Sequence, residues 1–361
     1  MFRRTKSRSR LLLLLLALVF TAFYISQPPP QSPYDPRHGR LPPLDPTSRF
    51  AIVTFLGADI LQKKEDRYFV ACRLLTYQLL HAEETRIHDD AREKIDFIVT
   101  VTPAVETWKR EQLERDGATV VEVEDIPLRW WVRTGVARWR DQFTKLRVLL
   151  WTQYARVLFV DADTLLLRPI DGIFDEPASM IPARTDFTHR RGDEADLPAE
   201  YVFLASPDHE FTGKRDHPVP PNELSTTGSL SAGFWLAAPS EELYAYLMSV
   251  LSLYRRFDPR TMEQSLLNYA FRRCDASPSA REASAECPES ARPGPMPWRE
   301  LDWRWSSTWP SFADVENGVV SLHEKFWKAG PKGLRAVWRG WRARMEDELG
   351  KTYPKASSGS K

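Results

Sequence analysis

Compact apolar segments alternate with segments of helical periodicity, and this alternation constrains the fold of the chain most strongly. Four segments rich in β-branched and aromatic residues predict strands: 50–56, 96–101, 118–123 and 157–160. Apolar side chains at helical spacing follow the first strand: Tyr68, Cys72, Leu75 and Leu79. A second helix is predicted at 105–116, before Gly117. Because strands and helices alternate, we predict an α/β, Rossmann-like fold with a mostly parallel sheet flanked by helices.

The pattern is weaker in the second half of the chain. Further elements are predicted as a helix with apolar face Phe143, Leu146, Leu150 and Tyr154, a strand at 231–237, a helix capped by Ser240, and a helix at 261–271. Segment 184–228 is polar and contains proline, and three interpretations of it stay open: a lid, an acceptor loop or an insertion. Residues 275–297 predict an exposed loop, and residues 353–361 predict a disordered tail.

The N-terminus predicts a membrane anchor. Residues 1–10 are strongly basic and precede an apolar run at 11–26, so the first ten residues are expected in the cytosol and the rest of the chain on the far side. The competing interpretation is a cleaved signal peptide, but bulky Phe23 and Tyr24 occupy the end of the run, where a cleavage site needs small residues. A helix of this length spans roughly 22 Å, which favours the thinner membranes of the early secretory pathway. We predict a proline-rich stem at 27–49 and one catalytic domain at 50–352.

Charge and cysteine content exclude some classes of protein. Acidic and basic residues almost cancel, with a formal net charge of +1, so nothing suggests nucleic acid as a partner. Three cysteines are too few for a disulfide framework. Cys274 and Cys287 flank one loop, and whether they form a disulfide is left open, whereas Cys72 fits a helix core.

Asp161 and Asp163 carry the clearest chemical signal. They follow the carboxyl end of a buried strand, and ligands bind at the carboxyl ends of the strands in parallel sheets. Residues two apart on an extended chain point the same way, so both carboxylates can face one site. Adjacent carboxylates repel unless a cation lies between them, and oxygen ligands suit Mn²⁺ or Mg²⁺. Such an ion would stabilise the charge on the diphosphate of a nucleotide sugar. A solvated surface pair and an aspartyl phosphatase are the alternatives, although the phosphatase pattern expects Thr or Val where Leu165 stands.

The surrounding segment is similar to a known family. The stretch TKLRVLLWTQYARVLFVDADTLLLRP at 144–169 resembles the core of the glycogenin-like glycosyltransferases, family 8. The resemblance extends over roughly residues 50–330 and implies a GT-A fold, a UDP-sugar donor, Mn²⁺ and retention of configuration at the anomeric carbon. The chain with its anchor resembles fungal Golgi members, including N-acetylglucosaminyltransferases.

The resemblance also implies roles for individual residues. The metal ligands would be Asp161, Asp163 and His323. The donor would be contacted by Phe55, Gly57, Tyr68, Lys145, Ser231, Gly233 and Lys328, with Lys325 as a rival to Lys328 at the diphosphate. The residues beside the sugar would be Glu263 and Gln264. Ser231 stands where the family has Asn, and Glu263 where it has Asp. Three of these residues also have a structural interpretation: His323 as a hydrogen-bonded histidine, Lys145 as a solvated lysine, and Glu263 as an acid favoured by a helix dipole.

Together these features predict a single-pass type II Golgi membrane enzyme whose lumenal domain transfers a hexose or N-acetylhexosamine to a glycan or glycoprotein acceptor. A catalytically silent Golgi scaffold of the same fold is the alternative from another class. A self-glucosylating, glycogenin-like enzyme and a lumenal phosphohydrolase are the other enzyme alternatives. The sugar, the acceptor, the linkage and the oligomeric state are not determined by the sequence.

Overall fold

A mixed seven-stranded sheet forms the centre of the computed structural model, which describes residues 40–59, 65–134, 136, 139–208, 228–273 and 293–351. The strands are β1 (Phe50–Leu56), β2 (Ile95–Val101), β3 (Thr119–Glu122), β4 (Arg156–Val160), β5 (Thr164–Leu166), β6 (Ala183–Arg184), β7 (Glu200–Tyr201), β8 (Phe203–Pro207), β9 (Leu230–Ala237), β10 (Arg299–Glu300), β11 (Ser307–Thr308) and β12 (Ser321–His323). The α-helices are α1 (Arg67–Leu80), α2 (Thr107–Arg115), α3 (Pro177–Met180), α4 (Glu241–Ser252), α5 (Glu263–Ala270), α6 (Phe312–Glu316) and α7 (Lys332–Glu348). Short 3₁₀ helices occupy Gln142–Leu150, Asp171–Asp175, Phe187–His189 and Pro259–Thr261.

The strand order of the central sheet is β10-β8-β9-β4-β1-β2-β3. Neighbouring pairs are parallel except β4 with β9 and β8 with β9, which are antiparallel. Every residue of β4 and β9 is buried, because helices and loops cover both faces at the centre of the sheet. The predicted α/β fold, with a mostly parallel sheet flanked by helices, is confirmed.

Side-chain caps determine where two of the predicted helices begin. The carboxylate of Asp66 accepts hydrogen bonds from the amides of Tyr68 and Phe69 at the start of α1. The hydroxyl of Ser240 accepts one from Leu243 at the start of α4, as predicted.

The predicted helix from Phe143 to Tyr154 is shorter than expected. The structure has a 3₁₀ helix at Gln142–Leu150, and Trp151 leaves the helical region with φ −86° and ψ 61°. The amide of Ala155 already bonds to the carbonyl of Arg49, so the chain has joined the sheet there and Tyr154 lies outside the helix.

No strand or helix was predicted in segment 184–228, but its described part, 184–208, contains regular structure, and the largest element lies at Phe203–Pro207. These residues form β8, a fully buried strand of the central sheet. Their short apolar run ends in proline, which made the strand signal weak. The end of the predicted exposed loop also differs, since Met296 is buried in the core.

Several predicted segments lie outside the described residues: the basic tail at 1–10, the anchor at 11–26, the stem up to residue 39, Cys274 and Cys287, and the tail at 353–361. Leu41, near the end of the predicted stem, donates its amide hydrogen to Glu200 Oε2. Within the described ranges, no helix is long and apolar enough to cross a membrane.

A second, three-stranded sheet brings the C-terminal part of the chain to the end of β4. Its order is β11-β12-β5, and β12 is antiparallel to β5 with His323 opposite Thr164. Helix α7 then packs on this sheet and on α1 through Leu334, Trp338 and Met345. This pairing places His323 beside the predicted metal ligands.

Candidate functional site

Asp161, Asp163 and His323 converge where β4 ends. Asp161 is held by its amide, which bonds to the carbonyl of Gly233 at 2.8 Å. The Nε2 atom of His323 lies 3.1 Å from Asp163 Oδ1 and 3.8 Å from Asp161 Oδ2. One ligand atom from each of the three side chains lies within 4.8 Å of the others. The structure therefore brings the three predicted ligands together in a site that can hold a metal ion.

The surroundings of this cluster fit a bound cation. The Nδ1 atom of His323 is buried and has no hydrogen-bond partner among the described residues. A Cβ atom at position 233 would lie 2.4 Å from His323 Cε1 and 2.9 Å from Asp161 Oδ2, so only glycine leaves room for both side chains. Two carboxylates and one imidazole form a donor set that suits Mn²⁺ or Mg²⁺.

Lys145 lies behind the cluster rather than in the open site. Its side chain is 1% exposed, and its Nζ atom lies 3.0 Å from Asp161 Oδ1 and 2.9 Å from Glu263 Oε1. The same ammonium lies 4.7 Å from the centre of the Phe159 ring. Lys145 thus links Asp161 to Glu263 at the start of α5 and directs the other oxygen of Asp161 towards His323.

A cavity of about 190 Å³ opens in front of the two aspartates. Six of the predicted site residues line it: Phe55, Gly57, Tyr68, Asp161, Asp163 and Lys328. The other predicted residues lie outside its lining: Lys145, Ser231, Gly233, Glu263, Gln264 and His323. Sequence reasoning missed Trp139, Gln142 and Trp327, which also line the cavity. Trp139 and Gln142 lie far from Trp327 in the chain, and no local pattern distinguishes the two tryptophans from core aromatics.

The segment around Gly233 is anchored by amide side chains from α5. Gln264 accepts a hydrogen bond from the amide of Ala232 at 3.1 Å and donates one to Asp208 at 2.7 Å. Asn268 bonds to both the amide and the carbonyl of Leu230, at 2.8 and 3.1 Å. Both polar ends of Gln264 are therefore bonded to the protein, so this residue supports β9 beside Asp161 and His323.

The charged groups of the cluster shift one another's pKa values. Burial alone would raise the pKa of Asp163, but Lys325 and His323 outweigh it and hold the pKa well below its ordinary value. Burial would lower the pKa of His323, yet Asp163 and Asp161 raise it. Burial also raises the pKa of Glu263 more than its ion pair with Lys145 lowers it. The site therefore holds at least one firmly ionised carboxylate next to basic groups.

Asp141 is a further acidic group beside the cavity, and sequence reasoning missed it. A Cβ atom at Gly57 would lie 2.3 Å from Asp141 Oδ2, so glycine is needed for this carboxylate to approach the backbone. Its Oδ1 atom is buried with no hydrogen-bond partner among the described residues. Burial raises the pKa of Asp141 to about 6, and the nearby Asp125 and Glu263 add to the effect.

No protein-family model matches the chain. A curated relative, an uncharacterized protein of Schizosaccharomyces pombe, is 30% identical over 315 residues, which cover 79% of this chain and 76% of the relative. The chain belongs to the family of that protein. Galactinol synthase 2 of Arabidopsis thaliana is also similar, with 29% identity over 97 residues that cover 27% of this chain and 29% of the synthase.

Similar solved structures include the galactosyltransferase LgtC in complex with donor and acceptor sugar analogs. It is 12% identical, has a TM-score of 0.44, and the alignment covers 84% of this chain and 98% of that chain. A TM-score below 0.5 establishes no function for this family member. The finer resemblance to fungal N-acetylglucosaminyltransferases stays a prediction.

Proposed function

We propose that this family member is a glycosyltransferase that moves a hexose or N-acetylhexosamine from a UDP-sugar to a glycan or glycoprotein acceptor with Mn²⁺ or Mg²⁺. The observation that carries the proposal is the convergence of Asp161, Asp163 and His323 at the edge of a cavity formed where β1 and β4 end. Ligands bind at this edge of parallel sheets. The similarity to a galactinol synthase supports the same reaction class.

Asp161, Asp163 and His323 would hold the divalent cation. When bound, such an ion neutralises charge on a diphosphate leaving group. The protein supplies further positive charge nearby, since Lys325 Nζ lies 3.3 Å from Asp163 Oδ2 and Lys328 lines the same cavity. Negative charge that develops on a departing nucleotide would therefore meet basic side chains that are already in position.

The remaining walls of the cavity suit the nucleoside part of the donor. Four aromatic side chains line it, namely Phe55, Tyr68, Trp139 and Trp327. Flat rings offer stacking surfaces for a base, and backbone groups of the segment around Gly57 offer hydrogen bonds.

Lys145 and Glu263 would act on Asp161 rather than on the donor. Lys145 fixes one oxygen of Asp161 and neutralises part of the charge of the two acids that it bridges. This ion pair holds Asp161, the first proposed metal ligand, in one orientation. Retention of configuration, and a position of Glu263 and Gln264 beside the sugar, remain proposals that rest on the family resemblance.

The place of action is proposed on the N-terminal sequence. The basic residues 1–10 and the apolar run at 11–26 support a single-pass type II anchor, with the catalytic domain in the Golgi lumen. Such a location would give the enzyme access to secreted glycans and glycoproteins.

The test is donor hydrolysis and transfer by the purified full chain in detergent. UDP-Glc, UDP-Gal and UDP-GlcNAc are each supplied with Mn²⁺ and with a chelator. We expect turnover of one donor that requires the cation and is lost in Asp163→Asn. Asp302→Asn is the matched control, because Asp302 pairs with Arg304 at the surface.

Each alternative predicts a different outcome. A silent scaffold would give no turnover of any donor by folded protein. A phosphohydrolase would release phosphate from simple esters at a rate independent of the sugar. Equal activity of Asp163→Asn and wild type would contradict the proposed site.

A further inference from the structure

Helix α7 contacts two separate chain segments that line the cavity and form two of its walls: the loop with Trp327 and the segment with Glu65 before α1. On one side, Trp338 packs edge-on against Trp327, with ring centroids 6.1 Å apart and an interplanar angle of 61°. Trp327 in turn packs edge-on against Tyr68 at 5.0 Å. Since Trp327 and Tyr68 both line the cavity, Trp338 supports an aromatic contact that joins its two walls.

One turn further along α7, Arg342 holds the other wall. Its Nη2 and Nη1 atoms donate to the two carboxylate oxygens of Glu65, at 2.5 and 3.3 Å. Its Nε atom donates to Glu346 within α7 at 2.8 Å, which fixes the guanidinium in place. Glu65 lines the cavity and directly precedes Asp66, the cap of α1. Bidentate pairs of this kind restrict orientation as well as distance.

Trp338 and Arg342 are four residues apart and therefore lie on one face of α7. Through them, one helix is attached to the Trp327 side and to the Glu65 side of the cavity. We propose that Arg342 is a positioning residue that sets the separation of the cavity walls and thereby the affinity for the nucleotide sugar. This inference rests on the proposed function. Arg342 lines no part of the cavity, so its loss should affect donor binding and leave the chemical step unchanged.

The chain offers a matched control on the same helix. Arg344 makes a similar bidentate pair with Glu84, at 2.7 and 3.1 Å. Glu84 follows the end of α1 and does not line the cavity. Loss of Arg344 should therefore remove an ion pair from α7 without affecting the cavity walls.

The experiment compares Arg342→Met and Arg344→Met in the full chain. For Arg342→Met we expect a rise of about fivefold in KM for the donor, with kcat within about twofold of wild type. Arg344→Met should keep both constants. Arg342→Lys keeps a positive charge opposite Glu65 and Glu346 and should recover part of the affinity that Arg342→Met loses. If the ion pairs of Arg342 and Arg344 only stabilise the fold, both methionine variants would have a lower melting temperature, and the KM for the donor would not depend on the charge at position 342.

Hydrogen exchange separates this inference from the proposed function. In Arg342→Met, the amides of residues 65–70 should exchange faster than in wild type or Arg344→Met, whether or not any donor is turned over. Unchanged exchange there, or an equal KM rise in both single variants, would overturn the role of Arg342. Faster exchange together with no donor binding by wild type would instead overturn the proposed function.

Discussion

Replacement of Lys145 by methionine tests whether the buried ion pair holds the site together. Methionine keeps an unbranched side chain over the Phe159 ring but removes the charge that faces Asp161 and Glu263. Lys145 is 1% exposed and Glu263 8%, so water cannot replace the lost partner at the Glu263 end. Loss of one partner from a buried pair costs about 3 to 5 kcal/mol. We expect Lys145→Met to lose a free energy of unfolding in that range.

The structure attributes most of this loss to Glu263, because Asp161 is 29% exposed and stays hydrated. The double variant Lys145→Met with Glu263→Gln should therefore recover about half of the loss or more. Unfolding by urea, followed by tryptophan fluorescence in a chelating buffer, gives both values. The chelator is needed because a bound cation would compensate Asp161.

The loss should also depend on pH. Burial already raises the pKa of Glu263, and removal of Lys145 raises it further. A raised folded-state pKa gives stability that is present below the unfolded value and is lost as the pH rises through the folded value. Lys145→Met should thus be closer to wild type at about pH 5 than at about pH 8. A loss below about 1 kcal/mol, a loss equal at both pH values, or no recovery in the double variant would refute the reasoning.

Two further variants test the neighbouring groups. Asp141→Asn removes a carboxyl whose pKa of about 6 lies above the ordinary 3.8. Because the protonated carboxyl stabilises the fold relative to the ionised one, that stabilisation is lost as the pH rises from about 4 to 6. The free energy of unfolding of the variant, measured in urea, should therefore exceed that of wild type by about 1 to 3 kcal/mol at about pH 7.5 but not at about pH 4. The same advantage at both pH values would contradict this. Gly233→Ala should lower Mn²⁺ affinity about tenfold or more by calorimetry, because its Cβ would lie 2.4 Å from His323. Gly172→Ala is the control, since its nearest contact would be 3.4 Å, and equal affinities of the two variants would count against the predicted role of Gly233.

Most of the central sheet follows from local patterns in the sequence. Strand β1 has the predicted bounds of 50–56, and β2, β4 and β9 each begin one residue before their predictions. Nearly all residues of these segments are buried, so burial and strand propensity agree. Strand β8 was missed because its few apolar residues gain strand structure from their pairing with β9 and β10.

Some residues of the candidate site could be predicted from the sequence, and others could not. Asp161 and Asp163 were predictable, because both follow one buried strand and a two-residue spacing places them together. The position of His323 required a family resemblance, since it reaches the aspartates only through the pairing of β12 with β5. Lys145 was expected to contact the donor, but burial beneath Asp161 gives it a partner in Glu263 that no spacing indicates.

The sequence by itself determined strands β1 to β4 and β9, the helices that alternate with them and the position of the acidic pair, because these depend on periodicity among neighbouring residues. Only the tertiary structure decided which basic groups face these acids and which aromatic side chains line the cavity. The contact of α7 with both cavity walls was decided at that level too, through Trp338 with Trp327 and Arg342 with Glu65. The partners are distant in the chain, and their contacts form only when the sheets and helices pack together.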